Sequence, residues 1–301
     1  MIHRTVIAAA VCLFALSFAH ADDASAIRLL QAEGATVDRD ETQPGKPVRL
    51  VSYNLRQITA DGNRALKEIT ELPEIEFIGS GDSEITTATL KALQGKSSLK
   101  RFTVAYATIS DEAAKVLASL KSLTELHLKV QIECSATALA EILKMKNLKE
   151  LTISDRLVND ETLEAVGKLT ELKVLNVRSI FVTDQGIASL KRLKNLQTLR
   201  IFLGPDVKPM GLRNLGDLSP KQLEVTYFNV SDANLDDLAE VRGLTTLRLM
   251  NASKVTDAAI PSFVGMRDLK ELEIIGGKYT KKQIEELKRK LPGCKISEGI
   301  Q

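Results

Sequence analysis

Few side chains in this 301-residue sequence could carry covalent or acid–base chemistry. Of its three histidines, His3 and His20 fall in an N-terminal stretch that reads as an export signal, which leaves His127. A Ser-His-Asp or Cys-His arrangement could use only that imidazole, and neither Cys134 nor Cys294 stands beside it in the register set out below. Metal sites built from several His or Cys ligands are excluded by count. No Walker A loop and no Gly-x-Gly-x-x-Gly run is present. Gly79-Ser80-Gly81-Asp82 does not open a phosphate-binding motif and reads as a flexible turn. Five carboxylates recur at equivalent places, Asp111, Asp160, Asp184, Asp232 and Asp257, a column that could suggest calcium or acid catalysis. Each follows a helix-start residue, and the glycine–aspartate density of calcium-binding β-helices is lacking, so helix capping is the expected role. No catalytic residue, metal or cofactor is assigned, and the chain reads as a non-enzyme.

These groups are placed by a repeat. A strand template Leu-x-x-Leu-x-Leu begins at Val48, Leu72, Leu99, Leu123, Leu148, Leu172, Leu196, Pro220, Leu244, Leu269 and Leu291, in steps of 22 to 27 residues, mostly 24. Its fourth and sixth positions are apolar throughout, from Val51/Tyr53 to Cys294/Ile296. The second half of each unit, as in Val182, Ile187, Leu190, Leu193 and Leu196, spaces its apolar residues along one helical stripe. Asn63 interrupts that stripe in the first unit. A strand and a helix of this size cannot bury their apolar faces alone, so neighbouring units must stack. The expected N-caps are Thr59, Thr86, Ser110, Ser135, Asn159, Thr183, Ser231, Thr256 and Thr280, with Lys208-Pro209 the exception.

Eleven such registers over residues 48–301 resemble the leucine-rich-repeat family. The Val-Thr-Asp-x-Gly-Ile form at 182–187 resembles its cysteine-containing and ribonuclease-inhibitor-like subclasses, and exported bacterial proteins built from V-T-D-x-G-L units. The resemblance implies an α/β solenoid, a horseshoe of about ten repeats with a parallel sheet on the concave side and helices on the convex side. It also implies that the concave sheet binds proteins or other macromolecules. Two features depart from the family: no unit has Asn at the ninth position, and only Cys134 remains of the subclass's cysteines.

The outward strand positions are where a partner would be met. Position five ends in the alternating series Arg200, Glu224, Arg248, Glu273 and Lys295. That series is either a self-neutralising ladder or a pattern that orients a partner. Position seven offers Arg178, Phe202, Met250 and Ile275, with Tyr227 expected at the edge beside them. Exposed apolar residues among arginines mark contact sites, unless a loop covers Phe202. The expected partner-binding set is Arg178, Arg200, Phe202, Tyr227, Arg248, Met250 and Ile275.

A net charge of +2, 4% aromatic residues and no Trp argue against nucleic acid as partner. Residues 1–21 read as a signal peptide with Arg4, an apolar run from Val6 to Phe18 and an Ala19-His20-Ala21 cleavage site, a retained anchor being the alternative. Export to the periplasm or the extracellular medium follows, with no membrane span after processing and a monomer expected. Residues 22–47 read as an N-terminal cap, with a helix over 24–34 and an edge strand near Val37, and 48–301 as the repeat domain. Cys134 and Cys294 lie too many units apart to pair, so two buried free thiols are expected. Asn229-Val-Ser and Asn251-Ala-Ser match the glycosylation sequon, and chance occurrence is the simpler reading. The leading function is recognition of a protein partner. The alternatives are a structural envelope or surface-assembly protein and an inhibitor of a secreted enzyme.

Overall fold

The structure, a computed structural model, describes residues 23–299 apart from 57, 81, 130, 155–157, 205–206, 208–217, 219–221, 229 and 240. The signal peptide, the Lys208-Pro209 helix start, Pro220 and the Asn229 sequon lie outside the described residues. The chain forms two compact units that divide after Ile142.

In the first unit a helix over residues 23–32 ends near Gly34, whose φ of 87° suits a residue without a Cβ. The edge strand expected at Val37 is β1 (Thr36–Arg39), antiparallel to β2 (Val48–Asn54). Next come β3 (Glu74–Ile78), β4 (Arg101–Ala105), β5 (Ala107–Ile109), β6 (Glu125–Leu128) and β7 (Ile132–Cys134). Strands β2, β3, β4 and β6 pair in parallel, while β5 pairs with β7 in a separate ladder. Their register aligns Val51, Ile75, Phe102 and Leu126, all fully buried. Alternation thus sends the template's fourth and sixth positions inward, as the spacing requires.

The second unit contains β8 (Glu150–Ser154), β9 (Val174–Arg178), β10 (Thr198–Leu203), β11 (Gln222–Phe228), β12 (Leu244–Met250), β13 (Glu271–Ile275) and β14 (Lys295–Gly299). They run parallel in chain order. Helices over Asp160–Val166, Asp184–Ser189, Asp232–Ala239, Ile260–Gly265 and Lys281–Lys290 alternate with them. Leu163, Ile187, Leu235, Phe263 and Leu287 turn inward to complete the core.

The last strand lies two residues from its expected register. Leu272 pairs with Ile296, so Ile296 holds the fourth position and Cys294 precedes the strand. Leu291 imitates a strand start in sequence, but it is the C-cap of the helix Lys281–Lys290, and its N–H bonds to the Leu287 carbonyl. Cys134 and Cys294 are free thiols, each half-buried rather than buried. Burial and the nearby Asp111 carboxylate push the Cys134 thiol up to about 11.

The capping pattern is realised in detail. Thr59, Thr86, Ser110, Ser135, Asn159, Thr183, Thr256 and Thr280 each accept a backbone N–H from the first helical turn. Ser231 differs, because its N–H and hydroxyl both donate to Asn234. The acid column does more than face helix dipoles, since several of its members clasp the next repeat. Asp160 accepts from the Thr183 N–H at 2.8 Å, the Thr183 hydroxyl at 2.6 Å and the Gly186 N–H at 3.1 Å. Asp232 accepts from the N–H and hydroxyl of Thr256, both at 2.8 Å, and Asp111 accepts from the Ser135 hydroxyl. Glu33 plays the same part at the N-terminal end, accepting from the hydroxyls of Thr59 and Tyr53. The glycine of the Val-Thr-Asp-x-Gly motif is thereby explained. A Cβ on Gly186 would stand 2.4 Å from the Asp160 carboxylate, and one on Gly62 would stand 2.1 Å from that of Glu33.

Candidate interaction surface

Period-two alternation puts the odd template positions of β9–β13 on the solvent side of the second unit's sheet. At the fifth position the alternating charges neutralise one another. Arg200 Nε lies 3.1 Å from Glu224, and Arg248 lies 4.0 Å from Glu224, 3.4 Å from Glu271 and 3.3 Å from Glu273. Lys295 reaches Glu271 at 3.9 Å rather than Glu273, a direct result of the two-residue register difference in β14. Arg200 also donates to Asn176 at 3.3 Å. Pairs this accessible contribute about 0–1 kcal/mol each, so the ladder's main effect is to cancel its own field.

Next to the ladder runs an apolar stripe. The exposed Arg178 guanidinium sits 5.4 Å from the centre of the Phe202 ring, within cation–π range. Phe202 stacks on Phe228 at 6.5 Å with 27° between the ring planes. Phe228 pairs across the sheet with Met250, and Ile275 follows on β13. Phe202, Phe228, Met250 and Ile275 are all half-buried. Just after β9, Ile180 and Phe181 are 45% and 53% exposed. The Ser179 N–H bonds to the Phe202 carbonyl, and a Cβ on Gly204 would lie 2.6 Å from the Ile180 backbone. The Ile180 segment therefore lies against the end of β10, beside the stripe.

Six of the seven expected contact residues are on this surface; Tyr227 is not. It is 1% exposed, and its hydroxyl donates to the Val207 carbonyl. The reason is strand length. β11 continues to Phe228, so residue 227 follows 223 and 225 inward, and Phe228 takes the outward place. Burial, with the Asp184 carboxylate second, holds the Tyr227 hydroxyl far above the ordinary phenol range. Sequence reasoning missed Phe228, Ile180 and Phe181. The one available sign was the run of bulky residues at each place, Tyr227-Phe228 and Ile180-Phe181.

At the strand starts an open groove of about 690 Å³ is lined by polar side chains, among them Gln197, Gln222, Thr246, Lys270, Glu271 and Lys295. On the first unit's sheet, Lys129 pairs with Glu76 at 3.0 Å, and Arg101 pairs with Glu74 and Glu125 at 3.1 and 2.5 Å. Among the described residues no helix is long and apolar enough to cross a membrane.

No family model matches the chain, and no curated protein matches it. The structure is similar to that of the Rad7 and Elc1 complex in yeast, with TM-score 0.53 and 13% identity over 98% of this chain and 91% of that one. An internalin (inlF) from Listeria monocytogenes aligns with TM-score 0.47 and 15% identity over 87% of each chain. An internalin C2 (inlC2) from the same organism aligns with TM-score 0.41 and 17% identity over 75% of this chain and 92% of that one. Identities this low speak to fold alone. With the strand–helix units described above, the fold is α/β, built of repeated strand–helix units on a mostly parallel sheet.

Proposed function

We propose that the chain is an exported, non-enzymatic protein-binding module that receives its partner on the solvent side of the sheet formed by β9–β13. The observation carrying this reading is the Arg178–Phe202–Phe228–Met250 stripe, half-exposed and flanked by Ile180 and Phe181. A contiguous apolar strip edged by arginine is the composition of an interface centre. The neighbour solved as the Rad7 and Elc1 complex in yeast supports the view that a fold of this kind can work in company with another protein. The ladder of Arg200, Glu224, Arg248 and Glu273 would form the polar rim and set orientation. Tyr227 supports the surface from beneath and makes no direct contact.

Affinity capture with the full chain tests the proposal. The wild-type protein should retain a cognate partner that a Phe202→Asp/Met250→Asp variant loses, with the variant's circular dichroism spectrum unchanged. Equal capture by a folded variant would place the contact elsewhere.

A further inference from the structure

The chemistry of the partner can be taken one step further, an inference that rests on the docking surface proposed above. Arg200, Arg248 and Lys295 are each engaged by a carboxylate. Arg178 is not: among the described residues it has no carboxylate within ion-pair distance, and its guanidinium lies over the Phe202 ring instead. The surface is thus a neutral, self-paired ladder beside an apolar row that carries one uncompensated positive charge at its β9 end. The row crosses four parallel strands, β9 to β12, and steps two residues along β11, from Thr226 opposite Phe202 to Phe228 opposite Met250, an oblique span of about 16 Å at the usual strand spacing. An extended peptide covers that length in about five residues, with alternate side chains on the same side. The ring spacings suit this period. Arg178 to Phe202 is 5.4 Å and Phe202 to Phe228 is 6.5 Å, close to the roughly 6.6 Å between residues i and i+2 of an extended chain.

We infer that the stripe from Arg178 to Met250 takes an extended segment of the partner with the pattern acid-x-apolar-x-apolar. Its carboxylate faces Arg178, its first apolar side chain covers Phe202 and Phe228, and its second lies over Phe228 and Met250. The cation–π contact holds the guanidinium beside the ring, so the side-chain ordering a carboxylate would require is already met.

The test uses the full chain and three fluorescein-labelled peptides read by anisotropy: Gly-Asp-Thr-Phe-Thr-Leu-Gly, the same peptide with Lys for Asp, and the same peptide with Ser for both Phe and Leu. The first should bind tightest, with the lysine peptide about five-fold or more weaker. Arg178→Glu should invert that order, and because Arg178 is exposed the variant should fold normally. Equal binding of the aspartate and lysine peptides, or a serine peptide as tight as the first, overturns the assigned pattern. Binding by none of them at millimolar concentration overturns it as well, and the capture experiment then decides the docking surface independently. Self-association in sedimentation that Phe202→Asp abolishes would make the occupant a second copy of this chain, and would also overturn the inference.

Discussion

Gly186→Ala should destabilise the protein although alanine is the better helix former. Gly186 is the third residue of the helix Asp184–Ser189, where replacing glycine with alanine ordinarily adds about 0.8–1 kcal/mol. Here the new methyl would stand 2.4 Å from Asp160 Oδ1 and 3.1 Å from Val182 Cγ1. The carboxylate must swing away, and in doing so it loses the Gly186 N–H and weakens its bonds to the Thr183 N–H and hydroxyl. Hydrogen bonds to a charged group are each worth about 1.5–3 kcal/mol, less where water can replace the partner. Losing one and straining two therefore outweighs the gain in propensity, for a net loss of about 1–2 kcal/mol. The decisive comparison is made in an Asp160→Ala background. With the carboxylate gone the 2.4 Å clash is relieved, and the remaining 3.1 Å contacts, to the residue-160 Cα and Val182 Cγ1, yield to shifts of a few tenths of an ångström, so the same Gly186→Ala change should stabilise by up to about 1 kcal/mol. The coupling between the two sites is then about 1–3 kcal/mol. Urea denaturation of the four proteins, compared by midpoint at constant slope, reads the sign directly. The same sign in both backgrounds would refute the clasp as the reason for the glycine.

Three further outcomes follow from the same geometry. Tyr227→Phe should cost about 1–2 kcal/mol by leaving the Val207 carbonyl unpaired, and Tyr227→Ala about 3–5 kcal/mol in thermal unfolding, whereas an exposed contact residue would cost almost nothing. Burial alone would raise the Glu33 carboxyl, but bonds from Thr59 and Tyr53 outweigh it and hold the group below its ordinary value of 4.5. Its contribution is therefore complete above that pH and fades as acid protonates it; the Tm gap between wild type and Glu33→Gln should be constant above pH 5 and narrow below about 4.5, and a gap that widens in acid would contradict this. With its thiol raised to about 11, Cys134 should alkylate at pH 8 roughly a hundredfold more slowly than an ordinary cysteine, as followed by mass spectrometry of the native protein.

The sequence made legible whatever depended on period. Val51, Ile75, Phe102 and Leu126 could be placed on one inner row because alternation and a near-constant step leave no other arrangement. The helix starts were legible for the same reason, each cap residue following its loop aliphatic. Period carried no information about where a strand stops. Pairing with the neighbour decided that, so Tyr227 turned inward and Phe228 outward, and β14 began beyond Cys294. The carboxylate column was recognised, but only its local half. Its second half joins residues more than twenty positions apart, and a helix-start pattern cannot show such a link. The conspicuous sign was the glycine of Val-Thr-Asp-x-Gly, whose reason lay in another unit. On the interaction surface, the stacking of Arg178, Phe202 and Phe228 needed the register of three strands at once.

The acid–hydroxyl clasp also works as a gauge of unit length. For the aspartates it closes between residues 23 or 24 positions apart, at Asp160–Thr183, Asp111–Ser135 and Asp232–Thr256, while the longer side chain of Glu33 reaches Thr59 over 26. Where the Gly79–Asp82 stretch lengthens the step to Thr86, the clasp position after Thr59 is Ala60, which has no carboxylate, and Asp61 beside it pairs with Arg64 of its own helix. A chain that grows by copying such units can thus carry an extra residue most easily where no such latch has to close, and a slip elsewhere would be felt at the next helix start.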